Sequence, residues 1–246
     1  MSASASPTSP TSPTSPTSPT SPASQASSSA AVAGMRGLVS DWSSDKQAFH
    51  VAWGKAMMWI FLLSDTFIFG SFLTSYMTVR SSTTVPWPNA SQVFSLNIAG
   101  NDMPLILIAI MTFVLITSSG TMAMAVNFAY QRDRRKAAAL MVVTAAFGVM
   151  FVGMQAFEWT KLIHEGVRPW SNPMGAAQFG STFFMITGFH GLHVSAGVIY
   201  LLVVAIRLQR GSYERRANYQ IVEIVGLYWH FVDLVWVFIF AFFYLW

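Results

Sequence analysis

Five long stretches with almost no charged residues constrain the fold of this chain more than any other feature. They cover roughly residues 56–79, 104–129, 137–163, 180–206 and 226–246. A helix that crosses a bilayer needs about 20 mostly apolar residues. Charged residues make up only 10% of the chain, against about 25% in soluble domains. The sequence therefore predicts an all-α integral membrane bundle of five transmembrane helices.

The limits of the second helix can be predicted from its flanking residues. Pro104 suits a first helical position because the N–H that proline lacks has no partner there. The segment "VPWPNASQ" (residues 85–92) before it predicts a turn region. We therefore expect this helix to begin at Pro104.

The N-terminal part of the chain has a different composition from the rest. Residues 6–20 repeat Ser-Pro-Thr five times, and Ser, Ala, Pro and Thr dominate up to Ala30. Such a segment cannot bury enough apolar surface to fold. It also lacks the features of a secretory signal, and no Arg precedes Arg36, which argues against a transit peptide. We expect residues 1–40 to be a disordered cytoplasmic tail and residues 41–246 to be the five-helix membrane domain.

Lys and Arg are distributed unequally between the two sides of the predicted bundle. One side has eleven, namely Arg36, Lys46, Lys55, Arg132, Arg134, Arg135, Lys136, Arg207, Arg210, Arg215 and Arg216. The other side has three, namely Arg80, Lys161 and Arg168. Cytoplasmic loops carry the excess of positive charge. The predicted N-terminus is therefore cytoplasmic and the C-terminus lies outside.

Three ionisable residues are predicted near the middle of the membrane. Asp65 lies about 14 Å into the first span, and His190 and His193 lie roughly 15–20 Å into the fourth, at 1.5 Å per residue. A charge at such a depth costs about 2.5–3.5 kcal/mol on insertion scales. The three residues share a depth, although depth alone does not put them in contact. Two interpretations of Asp65 stay open, a proton carrier or a structural hydrogen-bonding partner.

Further polar residues lie towards the span ends. Glu158 is near the outer end of the third span, and Glu223, His230 and Asp233 are on the cytoplasmic half of the fifth. His190 and His193, like His230 and Asp233, are three residues apart and share a helix face. These faces are expected to point into the protein, where the residues form an intramembrane polar network.

The paired histidines raise the alternative of haem or metal ligation. The chain has five histidines and no cysteine, which is too few for a site of two haems and a copper. Gly188, Gly191 and Gly197 around the histidines favour close helix packing. We therefore expect interhelical hydrogen bonding, no metal and no cofactor in this chain.

Several segments closely resemble one known family. They are "GSTFFMITGFHGLHVSAGVIYLLVVAIR" (180–207), "VEIVGLYWHFVDLVWVFIFAFFYLW" (222–246), "MQAFEWTKL" (154–162) and "KAMMWIFLLSDTFIFGSFLTSYMTVR" (55–80). Together they identify the region from about residue 50 onwards as similar to subunit III of the haem–copper oxidases, in a five-helix bacterial form. Other members have seven spans, with a lipid cleft beside the first two.

The resemblance implies a non-catalytic subunit of a respiratory terminal oxidase that reduces oxygen and pumps protons. Its expected partners are the catalytic subunit I, subunit II, membrane lipids and a larger respiratory supercomplex, with no nucleic acid. Haems and copper would belong to the partner subunits, and cytochrome c or quinol would donate electrons. The chain would support proton uptake and the stability of subunit I, and would bind phospholipid. Asp65 replaces the Glu of the family's membrane carboxylate, and Arg207 matches an arginine that binds lipid headgroups.

The resemblance and the five-span form favour a bacterial plasma membrane. Two other functions are compatible with a polytopic membrane chain. One is a subunit III-like accessory protein of nitric oxide reductase, and the other is an independent proton channel or transporter that uses Asp65. Transporters often contain internal repeats and broken spans, and we find no repeat. A terminal oxidase subunit is therefore the leading hypothesis.

Overall fold

A computed structural model of the chain describes residues 53–98, 101–211 and 219–245. The predictions for residues 1–40, and the positions of Arg36, Lys46, Arg215 and Arg216, lie outside these ranges. The elements in chain order are α1 (Trp53–Ser82), α2 (Ala90–Val93), β1 (Ser95–Ile98), β2 (Asn101–Pro104), α3 (Ile106–Tyr130), α4 (Arg134–His164), α5 (Ala177–Gln209) and α6 (Gln220–Phe240), which continues as a π-helical turn (Ala241–Leu245).

The prediction of five membrane-spanning helices is confirmed. Five of the described helices, with 25 to 33 residues each, are long and apolar enough to cross a membrane. Most of them extend beyond the predicted limits at both ends. A helix of 33 residues is about 50 Å long, whereas the hydrocarbon core is about 30 Å thick. The helix ends that the apolar pattern missed therefore reach the headgroup regions, where polar residues are tolerated.

The predicted start of the second span at Pro104 is wrong. Pro104 is the last residue of β2, which pairs with β1 in an antiparallel hairpin. Leu105 then has a left-handed backbone (φ 60°), and the helix begins at Ile106. A proline without an N–H is tolerated at the end of an edge strand as well as at a helix start. The residue type was therefore compatible with both, and the hairpin pairing decided between them.

Two contacts fix the segment between α1 and α3. The Asn89 side chain caps α2 by accepting a hydrogen bond from the backbone N–H of Ser91, at 3.1 Å. The Lys161 ammonium on α4 donates a hydrogen bond to the Ser95 carbonyl at the start of β1. The first contact therefore stabilises the short helix locally, and the second ties the start of the hairpin to the C-terminal end of α4.

The bundle has a compact core and one peripheral helix. Consecutive helices α3, α4 and α5 pack side by side, α6 packs against α3 and α5, and α1 contacts α6 and α5 from outside. Of the five spans, α6 is the most buried and α1 the least. One face of α1 is therefore left open, with large apolar side chains such as Phe67 and Leu63 exposed.

The indole of Trp229 on α6 packs into a notch at the centre of the core. A Cβ added to Gly148 on α4 would lie 2.5 Å from the Trp229 ring, and one added to Gly197 on α5 would lie 3.0 Å from it. Lipid tails are as apolar as these side chains, so close packing and interhelical hydrogen bonds hold membrane helices together. The Trp229 N–H supplies such a bond to the Ser118 hydroxyl on α3, at 3.0 Å.

The connection between α3 and α4 is a tight charged turn. The Asp133 carboxylate caps α4 by accepting a hydrogen bond from the backbone N–H of Lys136, and it forms a 3.1 Å ion pair with the Lys136 ammonium. These two hydrogen bonds from Lys136 lower the pKa of Asp133. The carboxylate also lies at the positive end of the helix dipole, which stabilises its charged form.

Candidate functional site

Asp65 and His193 meet between α1 and α5. The Oδ1 atom of Asp65 lies 3.4 Å from Nε2 of His193, and both side chains are largely buried. The ring of Phe69, one turn after Asp65, packs edge-on against the His193 ring at a centroid distance of 5.6 Å. On the far side, the Tyr228 hydroxyl donates a hydrogen bond to the His193 carbonyl, at 2.9 Å. Residues from three helices thus position one carboxyl and one imidazole together.

The two ring nitrogens of His193 face different groups. Nδ1 lies 2.8 Å from the Phe189 carbonyl, which accepts hydrogen bonds only, so Nδ1 carries a hydrogen. Nε2 faces Asp65 Oδ1 at 3.4 Å. A proton bound to either of these two atoms would lie between Asp65 and His193. The second carboxyl oxygen, Oδ2, is buried without a hydrogen-bond partner in the described part of the chain.

His190 is buried in an aromatic box, away from any carboxyl partner. Its ring stacks on Trp236 at a centroid distance of 5.5 Å, and the rings of Phe151 and Phe69 pack edge-on against it. Within residues 53–98, 101–211 and 219–245, neither ring nitrogen has a hydrogen-bond partner. The two histidines of the same helix face therefore have different surroundings, which their spacing alone did not indicate.

Glu158 is a buried carboxyl near the C-terminal end of α4. Its Oε2 atom accepts hydrogen bonds from the Gln155 amide, at 2.9 Å, and from the Tyr244 hydroxyl, at 3.0 Å. The side chain is 2% exposed. Tyr244 is in the π-helical turn that ends the described chain, so this turn connects the last helix to α4.

The N-terminal half of α6 has two further polar contacts. Near its start, Glu223 forms an ion pair with Lys55 of α1. Closer to the middle of the helix, His230 Nδ1 lies 2.6 Å from the Ser119 hydroxyl of α3. Asp233 is 8% exposed, and neither of its carboxyl oxygens has a partner among the described residues. The predicted polar residues are thus distributed over several separate contacts along the bundle.

A long apolar groove separates α1 from α6. Its volume is about 530 Å³, and two of its lining side chains, Thr66 and His230, are polar. It extends along α1 from Trp59 to Leu73, a rise of about 21 Å. The groove is therefore long, narrow and almost entirely apolar.

The remaining predicted features concern metals and lipid headgroups. In the part of the chain that the structure describes, no three His, Asp or Glu side chains lie close enough together to hold a metal ion. Arg207 is exposed in the last turn of α5. Its side chain is therefore accessible from the cytoplasmic membrane surface under the predicted orientation.

Several residues of these contacts were not singled out from the sequence. They are Gln155, Tyr244, Tyr228, Ser119 and the pairing of Lys55 with Glu223. Gln155 lies one helix turn before Glu158, and this spacing was a usable signal. The other contacts join residues far apart in the chain, and no local pattern indicates them.

Comparison with known proteins gives consistent matches. The sequence model of the family described as Cytochrome c oxidase subunit III matches residues 37–246. A probable quinol oxidase subunit 3 of Staphylococcus aureus (strain USA300) is 32% identical over 187 residues, covering 76% of this chain and 86% of the relative. The probable quinol oxidase subunit 3 of Staphylococcus saprophyticus is 31% identical over 188 residues, with the same coverage of both chains.

Proposed function

The chain belongs to the cytochrome c oxidase subunit III family and is thus a subunit of a terminal oxidase, and we propose that its own role there is non-catalytic. Electron transfer and oxygen reduction are assigned to partner subunits I and II, which would hold the haems and copper. The chain itself supports proton uptake into subunit I and protects it during turnover. The buried Asp65–His193 pair is the observation that carries this proposal.

The pair suits a proton-exchanging role for a physical reason. In the proposed role, Asp65 and His193, which lie 3.4 Å apart, share one proton inside a region where an unpaired charge is expensive. Moving that proton within the pair changes the charge of both groups together, from an ion pair to a neutral pair. The pair can therefore hold a proton on either group without a single buried charge.

Phospholipid binding is the second part of the proposed function. We assign an acyl chain to the groove between α1 and α6, because its length of about 21 Å suits one extended chain and its lining is apolar. Arg207 is proposed to bind a lipid headgroup at the cytoplasmic surface.

Replacing Gly70, which lines the groove with open space around it, by Phe should remove bound phospholipid, measured as phosphorus per purified complex. Gly120→Phe, at an equally open position of α3, is the matched control and should retain it. Equal lipid content in the two variants would refute the groove assignment.

We also propose the location of the chain from its charge distribution. The eleven-to-three bias of Lys and Arg supports a cytoplasmic N-terminus and an outer C-terminus, with residues 1–40 as a disordered cytoplasmic tail. A bacterial plasma membrane is the proposed site, and a respiratory supercomplex the wider assembly. Protease added to spheroplasts and to inverted vesicles tests this orientation, since the tail should be cut only in inverted vesicles.

Removal of the chain from the purified oxidase tests the proposed function as a whole. Mild detergent treatment that strips this subunit should leave the initial rate of oxygen reduction nearly unchanged. Proton uptake should slow, and the enzyme should be inactivated after fewer turnovers. Unchanged proton uptake and lifetime in the stripped enzyme would contradict the proposed supporting role.

A further inference from the structure

Glu158 and Gln155 each have one buried oxygen without a hydrogen-bond donor. The Gln155 amide N–H donates to Glu158 Oε2 at 2.9 Å, but Glu158 Oε1 and Gln155 Oε1 have no partner within the described residues. The two side chains are 2% and 5% exposed. A buried acceptor without a donor destabilises the folded state. Two such acceptors on side chains that already touch therefore require an explanation.

A single proton resolves both of these unsatisfied atoms. An ionised carboxylate is an acceptor only, so it offers nothing to the amide oxygen. A proton on Glu158 Oε1 makes this atom a donor, and Gln155 Oε1 is the adjacent acceptor on the side chain to which Glu158 is already bonded. The result is a cyclic pair with two hydrogen bonds, N–H···O in one direction and O–H···O in the other.

The groups that bind Glu158 are neutral. Its other donor, Tyr244, is an uncharged phenol that is itself buried. Among the described residues, the nearby cation is Lys161 on the same helix, which binds the Ser95 carbonyl and the Glu165 carboxylate, the latter at 3.4 Å. A buried carboxylate whose remaining contacts are neutral groups is strongly destabilised. A protonated Glu158 avoids this cost.

We infer that Glu158 holds a proton within the membrane bundle and forms a neutral acid–amide pair with Gln155. It is thus a second proton-binding site of the chain, separate from Asp65 and independent of the role proposed for that residue. Glu158 and Lys161 also line a small cavity of about 10 Å³, close to the lower limit for one water molecule. This cavity provides the position through which the proton exchanges with the outer surface.

Infrared spectroscopy of the purified oxidase, with the full chain present, tests the inference. A protonated carboxyl has a C=O stretching band that is separate from carboxylate bands and shifts in D₂O. The difference spectrum, obtained by subtracting the spectrum of the Glu158→Gln complex from that of the parent complex, should show one such band. The matched control, Asp133→Asn, changes a partly exposed carboxylate at the start of the same helix and should leave the band in place.

Thermal unfolding of the same complexes provides a second readout. In Glu158→Gln, the new amide donates to Gln155 Oε1, and its oxygen accepts from Gln155 and Tyr244, so every hydrogen bond is retained. This variant should unfold within about 2 °C of the parent, while Glu158→Leu should unfold at least about 5 °C lower, at roughly 2–4 °C per kcal/mol. Tyr244→Phe keeps the acid but removes one donor to Oε2, and should shift the band without abolishing it.

The competing state is an ionised Glu158 that receives a hydrogen bond from water in the cavity. In that state the protonated-carboxyl band is absent from the difference spectrum, and Tyr244→Phe moves no such band. Either result overturns the inference. Because Tyr244→Phe retains Glu158, it gives an answer even if the Glu158 variants fail to assemble.

Discussion

Replacing Asp65 and His193 by Ala, singly and together, tests whether these side chains act as one proton-exchanging unit. Each single variant removes one group that holds the shared proton and leaves the other buried without its partner. The double variant removes both groups and leaves no unpaired charge. The size of the coupling between the two changes therefore distinguishes one unit from two independent residues.

The distance in the structure bounds this coupling. Two unit charges 3.4 Å apart attract by about 5 kcal/mol at an effective dielectric constant of 20. Measured interhelical hydrogen bonds in membranes average about 0.6 kcal/mol and reach about 1.7. Leaving one buried partner unsatisfied adds about 1–3 kcal/mol. We expect a coupling free energy of about 1–3 kcal/mol, which lies between these limits.

The assay measures proton uptake by oxidase vesicles that contain a pH-sensitive dye, together with the number of turnovers before inactivation. Each single variant should slow proton uptake several-fold, and the double variant should be no slower than the singles. Ser71→Ala, an exposed position on the same helix, is the matched control and should behave like the parent. Unchanged uptake in the single variants, or effects that simply add in the double variant, would refute a shared proton.

Three further predictions follow from the packing, the turn and the aromatic box. Gly148→Val places side-chain atoms against the Trp229 ring. The overpacking costs about 1–3 kcal/mol and should lower the unfolding temperature by roughly 2–10 °C. The control Gly153→Ala, where a Cβ meets nothing within 4 Å, should have little effect. Asp133→Ala removes the helix cap and should lower the unfolding temperature at pH 7. The folded state lowers the pKa of Asp133. The stabilising effect of this carboxylate is therefore present at pH values above its ordinary pKa of about 3.9, and it is lost as the pH falls through the lowered pKa. The unfolding temperatures of the parent and the variant should therefore become equal in acid. His190→Phe keeps a ring in the aromatic box and should leave the haem absorption spectrum unchanged, whereas a spectrum showing a lost axial ligand would contradict the absence of a cofactor.

The number of spans could be predicted from the sequence because lipid imposes a simple requirement. Each crossing segment must satisfy its own backbone and remain apolar over a fixed length. This requirement applies only inside the hydrocarbon core, so it does not predict where a helix ends. For example, α4 begins at Arg134 rather than at the predicted residue 137. It also says nothing about short elements outside the bilayer, so the hairpin around Pro104 was missed.

The presence of polar residues within the spans could be seen in the sequence, but their partners could not be predicted from it. Asp65 contacts His193 rather than His190 because of the way α1 packs beside α5, although both histidines are on one helix face. Glu158 binds Tyr244, which is 86 positions away in the chain. Such pairings depend on the rotation of whole helices about their axes. Shape complementarity sets that rotation, as in the notch that Gly148 and Gly197 form for Trp229.

The most direct measurement is the haem and metal content of the purified complex before and after this chain is stripped from it. We expect a partner that contains two haems and copper, reduces oxygen, and keeps its full haem and copper content when the chain is removed. Haem or copper leaving with the chain would contradict a subunit without a redox centre. Co-purification with a haem and non-haem-iron partner that reduces nitric oxide would contradict the assignment to a terminal oxidase.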